Sequence, residues 1–140
     1  MKKIKFITEI ASTHNGNTKV IEYLTNKHLN SQSDFIKYQI FKSSNLIEKK
    51  DKDFKKFKKI EIDFSNWEKI IKKYYNKTKL ILEPFDEESY FFCKKFKKYV
   101  DIKISTTETD NINLIQDSLK NFKRVFINIS GFEEKYIKFI

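Results

Sequence analysis

The feature that most constrains this chain is a series of short apolar runs, each of which ends in polar residues. Stretches with helical spacing of apolar residues separate these runs. Strands buried on both faces have nearly continuous apolar sequences, and consecutive parallel strands need helical crossovers. The pattern therefore predicts an α/β fold of about five units, each a parallel strand followed by a helix. The predicted strands are 4–10, 35–41, 79–82, 100–105 and 124–129.

The segments between the strands carry helix and turn patterns. Ser65 is followed three residues later by Glu68, which is the pattern of a capping box, so a helix is expected to begin there. Pro84 is expected to mark the exit of the third strand from the ladder. The basic segment 42–59 has poor periodicity, which favours a solvated surface connection. Further helices are predicted at 18–29, 86–98, 111–120 and from residue 132 onwards.

The length of 140 residues suits one domain, 1–140, and no linker divides the chain. Five strand–helix units are enough for a small open sheet. They are also more than half of an eight-unit (β/α)8 barrel. Periodicity alone leaves both architectures open.

The formal net charge is +10, and lysine supplies nearly all of the positive charge. A nucleic-acid interface would usually recruit arginine forks, and Arg124 is the only arginine, so no nucleic-acid partner is expected. No apolar run approaches the length of a membrane span, and no signal peptide is recognisable, so we expect a cytoplasmic protein without a membrane partner. A single cysteine, Cys93, excludes an internal disulfide and is expected to be a buried, inert thiol.

Several residues at or near the strand ends have the chemistry of a binding site. Lys37 and Lys103 lie inside predicted strands, and lysines beside hydroxyl groups suit a small anionic ligand such as a phosphate or carboxylate. Neighbouring carboxylates suit acid–base work or sugar hydroxyls. Alternative interpretations stay open. Lys37 could point outwards, His14 could cap a turn, and Glu108 could be the negative charge at the N-terminus of the next helix. The candidates are Glu9, His14, Asn15, Lys37, Gln39, Lys103, Ser105, Thr106 and Glu108.

Four motifs resemble those of one known family. Residues 9–16 resemble the E-I-x-x-x-H-N-G opening of the sialic acid synthase family, and residues 36–39 resemble its V-K-F-Q strand. Residues 84–89 match its P-F-D-E-E-S turn, and residues 102–108 resemble its K-I-x-S-x-E segment. The motifs occur in the family's order and cover nearly the whole chain.

The resemblance implies a (β/α)8 TIM barrel, of which this chain is the N-terminal part. It implies condensation of phosphoenolpyruvate with an N-acetylated aminosugar, such as N-acetylmannosamine, to a nonulosonic acid plus phosphate. In the family a divalent metal, Mn or Mg, activates the sugar aldehyde. The family's metal ligands, its last three barrel units and its antifreeze-like domain have no counterpart here. We therefore expect no synthase activity from these residues alone, and a homodimer or a complementary chain as partner.

The resemblance also implies residue roles. Lys37 and Lys103 would hold the phosphate and carboxylate of phosphoenolpyruvate, with Thr106 as a hydroxyl donor. Glu9 and Glu108 are the catalytic candidates. Glu9 would transfer a proton, and Glu108 would contact the sugar or the reaction intermediate. The other substrate-binding candidates are His14, which would shape its loop over the site, Asn15, Gln39 and Ser105.

Two departures from the family pattern affect these roles. The family has Ser-Thr before Pro-Phe-Asp, where this chain has Leu82 and Glu83. Because a carboxylate repels phosphate, ordinary phosphoenolpyruvate binding is expected only if Glu83 faces away from the site. Ile129 stands where the family has a hydroxyl. These changes favour an alternative function, a non-catalytic β/α module that binds an anionic sugar or a partner subunit.

Overall fold

The computed structural model describes residues 4–130, in which strands and helices alternate along the chain. The strands are β1 (Ile7–Glu9), β2 (Phe35–Ile40), β3 (Lys79–Pro84), β4 (Asp101–Ile104) and β5 (Val125–Ile127). The helices are α1 (Thr18–Leu29), α2 (Ser43–Leu46), α3 (Phe54–Ile60), α4 (Phe64–Tyr74), α5 (Glu87–Lys94) and α6 (Ile112–Asn121), and a 3₁₀ turn spans Thr106–Glu108. Within residues 4–130, no helix has the length and apolar character needed to cross a bilayer.

The strands form one parallel sheet in the order β1-β2-β3-β4-β5. The prediction of an α/β fold with five parallel strands that alternate with helices is thereby confirmed. Within the described residues, β1 and β5 each pair with one strand only, so these five strands do not close into a barrel. The order and the parallel pairing are those of a partial TIM barrel.

The sheet is strongly curved. The rings of Phe35 on β2 and Phe126 on β5 meet edge to face, with centroids 6.2 Å apart. In a flat sheet the two strands would lie about 14 Å apart, because neighbouring strands are about 4.8 Å apart. The sheet therefore curls around an inner face, as the wall of a barrel does.

The convex face of the sheet is covered by helices and forms the core. Because right-handed crossovers between successive neighbouring strands all pass over the same side, the helices gather on one face. Tyr38 on β2 points to this face, where its ring packs on Trp67 of α4 with centroids 5.4 Å apart. Its hydroxyl lies 2.8 Å from the hydroxyl of Thr25 on α1. Alternation along β2 then directs Lys37 and Gln39 to the inner face.

The start of α4 differs from the prediction. Asp63 caps the helix, since its carboxylate accepts a hydrogen bond of 2.8 Å from the backbone N–H of Asn66. The hydroxyl of Ser65 donates to the same carboxylate at 2.6 Å. Glu68 instead pairs with Lys72 one turn further along the helix. The predicted capping box of Ser65 and Glu68 is therefore wrong, because an aspartate two residues earlier takes the capping position.

The third strand extends two residues beyond its predicted end and includes Pro84. Phe85 donates its backbone N–H to Ile40 on β2, so the preceding nitrogen, that of Pro84, points towards β4. The β3–β4 pairing covers only Ile81 and Leu82, so no ladder hydrogen bond is required from the proline. The strand can thus carry Glu83 in regular geometry.

The basic segment 42–59, predicted as an irregular connection, contains the short helix α2 and all but the last residue of the short helix α3. The predicted strands 4–10, 100–105 and 124–129 are shorter in the structure, where they correspond to β1, β4 and β5. Helix α1 has the predicted bounds, and α6 is displaced by one residue at each end. The helix predicted from residue 132 lies outside the described residues.

Candidate functional site

The inner face of the sheet carries a group of charged and polar side chains at the C-terminal ends of its strands. Each comes from a strand position that alternation directs inwards, and together they form what we call the strand-end cluster. Parallel β/α folds build their binding sites at this end of the sheet. The strand-end cluster consists of Glu9 (β1), Lys37 and Gln39 (β2), Glu83 (β3) and Lys103 (β4).

Glu83 lies at the centre of the strand-end cluster. One oxygen of its carboxylate, Oε2, is 2.5 Å from Nζ of Lys37. The other, Oε1, is 2.6 Å from Nζ of Lys103. The two lysines lie on strands that are not neighbours, and Glu83 on the intervening strand joins them. Lysines that are 66 positions apart in the sequence therefore face a common anion.

Glu9 and Gln39 complete the strand-end cluster on the β1 side. Oε1 of Glu9 lies 2.8 Å from Nζ of Lys37 and accepts a hydrogen bond of 2.9 Å from the side-chain amide of Gln39. The same amide lies 3.4 Å from Oε2 of Glu83. Two ammonium groups and two carboxylates thus give the strand-end cluster a formal charge of zero.

Exposure divides the strand-end cluster into a buried part and an accessible part. Lys37 is 5% exposed and Glu83 is 3% exposed. The side chains of Lys103 and Glu9 are 24% and 44% exposed. A ligand that approaches the inner face would therefore meet Lys103 and Glu9 first.

Burial and pairing act on the protonation of the two buried groups in opposite directions. Burial alone would lower the pKa of Lys37, but hydrogen bonds to Glu83 and Glu9 outweigh it and raise this pKa. Burial alone would raise the pKa of Glu83, but hydrogen bonds to Lys103 and Lys37 outweigh it and lower this pKa. Both groups are therefore held in their charged forms at neutral pH.

Ordinary phosphoenolpyruvate binding is expected only if Glu83 faces away from the site, and this condition is not met, since its carboxylate contacts both lysines. Glu83 is absent from the residues predicted for the site, although the sequence carried the information needed to include it. Glu83 lies two positions after Ile81 and is paired with Gln39 in the β2–β3 register. Continuing the third strand through Pro84 would have directed Glu83 to the same face as Gln39.

His14 and Asn15 lie in the loop after β1, and no contact of either with the strand-end cluster is found within residues 4–130. His14 is buried with its ring edge-on to Trp67 at 6.2 Å, and its Nδ1 accepts the backbone N–H of Gly16 at 3.1 Å. Burial lowers the pKa of His14, which favours the neutral ring. Asn15 is exposed and adopts a left-handed backbone with φ of 47°.

Gly16 fixes the path of this loop. Its φ of 78° is left-handed, and a Cβ atom placed on it would lie 2.1 Å from the carbonyl oxygen of Lys59, which belongs to α3. Only glycine allows such a close approach of two backbones. The H-N-G motif thus anchors the loop after β1 against α3.

Ser105, Thr106 and Glu108 follow β4. Ser105 is buried, and Thr106 is exposed with its hydroxyl oxygen accepting a hydrogen bond of 2.6 Å from the side chain of Asn128. Glu108 accepts a hydrogen bond of 3.1 Å from the side chain of Asn111. Within the part of the chain that the structure describes, Glu108 forms no ion pair with Lys103.

Glu108 nevertheless has an unusual electrostatic environment. Burial raises the pKa of its carboxyl group, and the negative charges of Asp86, Asp110 and Glu87 raise it further. The hydrogen bond from Asn111 acts in the opposite direction and is outweighed. A raised pKa makes a carboxyl group easier to protonate, which suits a role in proton transfer.

Asp86 of the P-F-D-E-E-S motif has a structural role. Its carboxylate caps α5 by accepting the backbone N–H of Ser89 at 3.0 Å and the hydroxyl of Ser89 at 2.8 Å. It also accepts the backbone N–H of Lys42 at 2.9 Å and the side-chain amide of Asn45 at 3.1 Å. Asp86 therefore ties the segment after β2 to the start of α5.

The described residues do not offer a divalent-metal site. Within residues 4–130, no three histidine, cysteine, aspartate or glutamate side chains are grouped to hold a metal ion. The two carboxylates of the strand-end cluster are both paired with Lys37. A metal such as the family uses therefore finds no fitting ligand set in this part of the chain.

The fold and the position of the strand-end cluster define the class of this structure: an open parallel β/α sheet that corresponds to part of a (β/α)8 barrel. No family model matches the sequence, and no curated protein matches it either. Solved structures do match. The crystal structure of N-acetylneuraminic acid (sialic acid) synthetase from Leptospira borgpetersenii serovar Hardjo-bovis, in complex with citrate, has a TM-score of 0.84 at 16% identity. The match covers 99% of this chain and 48% of that protein.

A second structure, designated spore coat polysaccharide biosynthesis protein E from Chromobacterium violaceum ATCC 12472, has a TM-score of 0.74 at 23% identity. The match covers 97% of this chain and 44% of that protein. The chain therefore spans about half the length of the structures it matches. The resemblance to sialic acid synthases that the four motifs indicated is confirmed at the level of the fold.

Proposed function

We propose that this chain is part of a sialic acid synthase-like barrel, which condenses phosphoenolpyruvate with an N-acetylated aminosugar to a nonulosonic acid plus phosphate. One observation carries the proposal: ammonium groups from two non-adjacent strands, Lys37 and Lys103, converge on one carboxylate at the C-terminal ends of the strands. This is the arrangement that an anionic substrate would need. A cytoplasmic location belongs to the same proposal.

The proposed reaction assigns work to the chain's own residues. The methylene carbon of phosphoenolpyruvate forms the new C–C bond with the aldehyde carbon of the sugar, whose oxygen takes up a proton. Water then adds to the oxocarbenium carbon and loses a proton, and the bond from that carbon to the phosphate oxygen breaks, which releases phosphate and leaves a ketone. Lys37 and Lys103 would neutralise the phosphate or carboxylate groups. Glu9 is accessible and lies beside Lys37, so it is the proposed proton-transfer group. Glu108, with its raised pKa, would act on the sugar side.

Citrate in the Leptospira structure supports this proposal in a limited way, since it shows that a protein of this fold can hold a tricarboxylate. The divalent metal of the family would supply Lewis-acid activation of the aldehyde. The described residues lack a ligand set for it, so we propose that these ligands belong to the remainder of a complete barrel. We accordingly expect the chain on its own to be inactive.

The open edges of the sheet support the proposal that additional strands must pair with this chain to complete the barrel. Phe6 and Ile7, at the start of the unpaired β1 edge, are exposed. A cavity of about 740 Å³ lies beside this edge, with Val20, Tyr23 and Leu24 of α1 in its wall. We propose that strands of a complementary chain, or of a second copy, cover this edge, because exposed edges promote pairing.

A non-catalytic module that binds an anionic sugar or a partner subunit is the second candidate. The observation that favours it is the zero formal charge of the strand-end cluster, since Glu83 already neutralises the lysines. Light scattering over a concentration series tests the partner subunit, with a dimer expected. A monomer at every concentration would leave only the anionic sugar for this candidate.

Calorimetry with phosphoenolpyruvate tests the anion site. We expect weak binding to the wild-type chain and loss of that binding in Lys103→Ala, which removes the more accessible ammonium group. Lys72→Ala is the control, because Lys72 is exposed and pairs with the exposed Glu68, away from the strand-end cluster. Unchanged affinity in Lys103→Ala would refute the proposed site.

A second assay tests the expectation of inactivity. The chain is incubated with phosphoenolpyruvate, N-acetylmannosamine and Mn²⁺, and phosphate release is measured. Release above background would contradict the expectation that further protein is required, and would support the synthase proposal directly.

A further inference from the structure

We propose that Glu83 is a resident anion that competes with an incoming phosphate or carboxylate ligand for Lys37 and Lys103, and thereby determines which ligands the strand-end cluster accepts. The inference rests on the proposed function in one respect, namely that the two lysines form the anion site. It adds a specificity-determining residue that the four family motifs do not contain.

The geometry of the carboxylate supports this role. Its two oxygens are divided between the two lysines, at 2.5 Å from Lys37 and 2.6 Å from Lys103. A phosphate or carboxylate ligand would present two oxygens across one central atom in the same way. Glu83 therefore makes the contacts that such a ligand would use.

The position of Glu83 in the sheet makes it difficult for a ligand to displace its carboxylate from the lysines. The residue is part of β3 and pairs with Gln39 on β2, so its backbone is held by the ladder. The residue is also buried, with 3% exposed. Because the backbone is fixed, the carboxylate would leave the lysines by a change of side-chain rotamer. A ligand that needs both lysines binds only the fraction of molecules in which this change has occurred, and its apparent affinity falls by that fraction.

The charge of the strand-end cluster leads to the same conclusion. With Glu83 present, a doubly charged ligand enters a neutral group that already contains two carboxylates. Without the Glu83 charge, two lysines and Glu9 leave one net positive charge facing the ligand. The wild-type cluster should therefore favour neutral ligands over phosphates, and removal of the Glu83 charge should reverse this preference.

The test compares the wild-type chain with Glu83→Gln, which keeps the shape of the side chain and removes its charge. Inorganic phosphate, phosphoenolpyruvate and citrate are titrated by calorimetry at an ionic strength fixed with sodium chloride. We expect the variant to bind phosphate at least about tenfold more tightly than the wild type. We also expect phosphate to raise the melting temperature of the variant and leave that of the wild type unchanged.

Two further variants separate competition from a purely structural role. Glu83→Asp keeps the charge on a shorter side chain that cannot reach both lysines, so it should bind phosphate with intermediate affinity. Asp101→Asn is the matched control: the Asp101 side chain is 6% exposed and pairs with Arg124, whose side chain is 42% exposed and remains solvated when unpaired. Asp101→Asn should lose stability without gaining phosphate affinity.

The outcomes distinguish this inference from the proposed function. If the wild type and Glu83→Gln bind phosphate with equal affinity and also bind phosphoenolpyruvate with equal affinity, the inference is overturned and the proposed function stands. Absence of anion binding in both proteins would overturn the two together. Tight binding of phosphate by Glu83→Gln, with no gain for phosphoenolpyruvate, would support the inference and count against the synthase proposal.

A variant that does not fold still gives a result. If Glu83→Gln is unfolded in chloride, recovery of its helical circular dichroism on addition of phosphate would support the inference. A variant that phosphate neither refolds nor stabilises would overturn it.

Discussion

The Nζ atom of Lys37 lies 2.5 Å from Oε2 of Glu83, and both side chains are almost completely buried. The two residues are 46 positions apart in the sequence and meet because β2 and β3 are neighbours in the sheet. A buried ion pair adds little stability over an apolar pair, but removal of one partner leaves an uncompensated buried charge. The consequences of this asymmetry can be measured.

Lys37→Met and Glu83→Gln should each lower the free energy of unfolding by about 3 kcal/mol. The double variant should lose less than the sum, with a coupling of about 1–3 kcal/mol, because it leaves fewer unpaired charges. Urea unfolding of all four proteins measures this cycle. The same cycle on the exposed pair of Glu68 and Lys72 should give a coupling below about 0.5 kcal/mol. Additive losses at Lys37 and Glu83 would contradict the ion pair.

The contribution of Glu83 to stability should depend on pH. Because its pKa is lowered in the folded protein, its stabilising effect is present above the ordinary glutamate pKa of about 4.3 and is lost as the pH falls through the folded value. The difference in unfolding free energy between wild type and Glu83→Gln should therefore be constant near neutral pH and shrink below about pH 4. A difference that grows on acidification would show that the pKa of Glu83 is raised instead.

Gly16→Ala should lower the unfolding free energy by at least about 2 kcal/mol, because a left-handed backbone and a clash with the carbonyl of Lys59 act together. Asn15 provides the control, since it is also left-handed but exposed. Asn15→Gly should be nearly neutral, and Asn15→Ala should cost about 1 kcal/mol. Equal losses in Gly16→Ala and Asn15→Ala would argue against the close approach to Lys59.

Asp86→Ala should cost about 3 kcal/mol, because it removes the cap of α5 and leaves the backbone N–H of Lys42 without its acceptor. Asp63→Ala, at the exposed cap of α4, should cost about 1 kcal/mol. Thermal unfolding of the two variants provides the comparison. If Asp86→Ala and Asp63→Ala lower the unfolding free energy equally, the hydrogen bonds between Asp86 and the segment after β2 contribute nothing to stability.

The thiol of Cys93 should be unreactive in the native protein. It is fully buried, and burial raises its pKa well above the ordinary range, so little thiolate forms. The rate of labelling with a thiol reagent should therefore follow global unfolding across a urea series. Rapid labelling without denaturant would show that the helix carrying Cys93 opens locally.

The sequence by itself determined the order of strands and helices and the strand positions of Lys37 and Lys103. It could do so because apolar periodicity is a local property, repeated within each segment of about ten residues. The same periodicity left open whether the sheet is flat or curled. The contact between Phe35 and Phe126, which records the curvature, joins strands that are three positions apart in the sheet.

Only the tertiary structure decided the partner of the two lysines. Whether Glu83 faces them depends on how far β3 continues past Leu82 and on its register with β2, and both are set by pairing between distant segments. The hydrogen bonds that Asp86 accepts from Lys42 and Asn45 likewise join residues more than forty positions apart, which meet only when the strands assemble. The sequence determined which side chains could form an anion site, and the assembled sheet decided that one of this chain's own carboxylates lies in it.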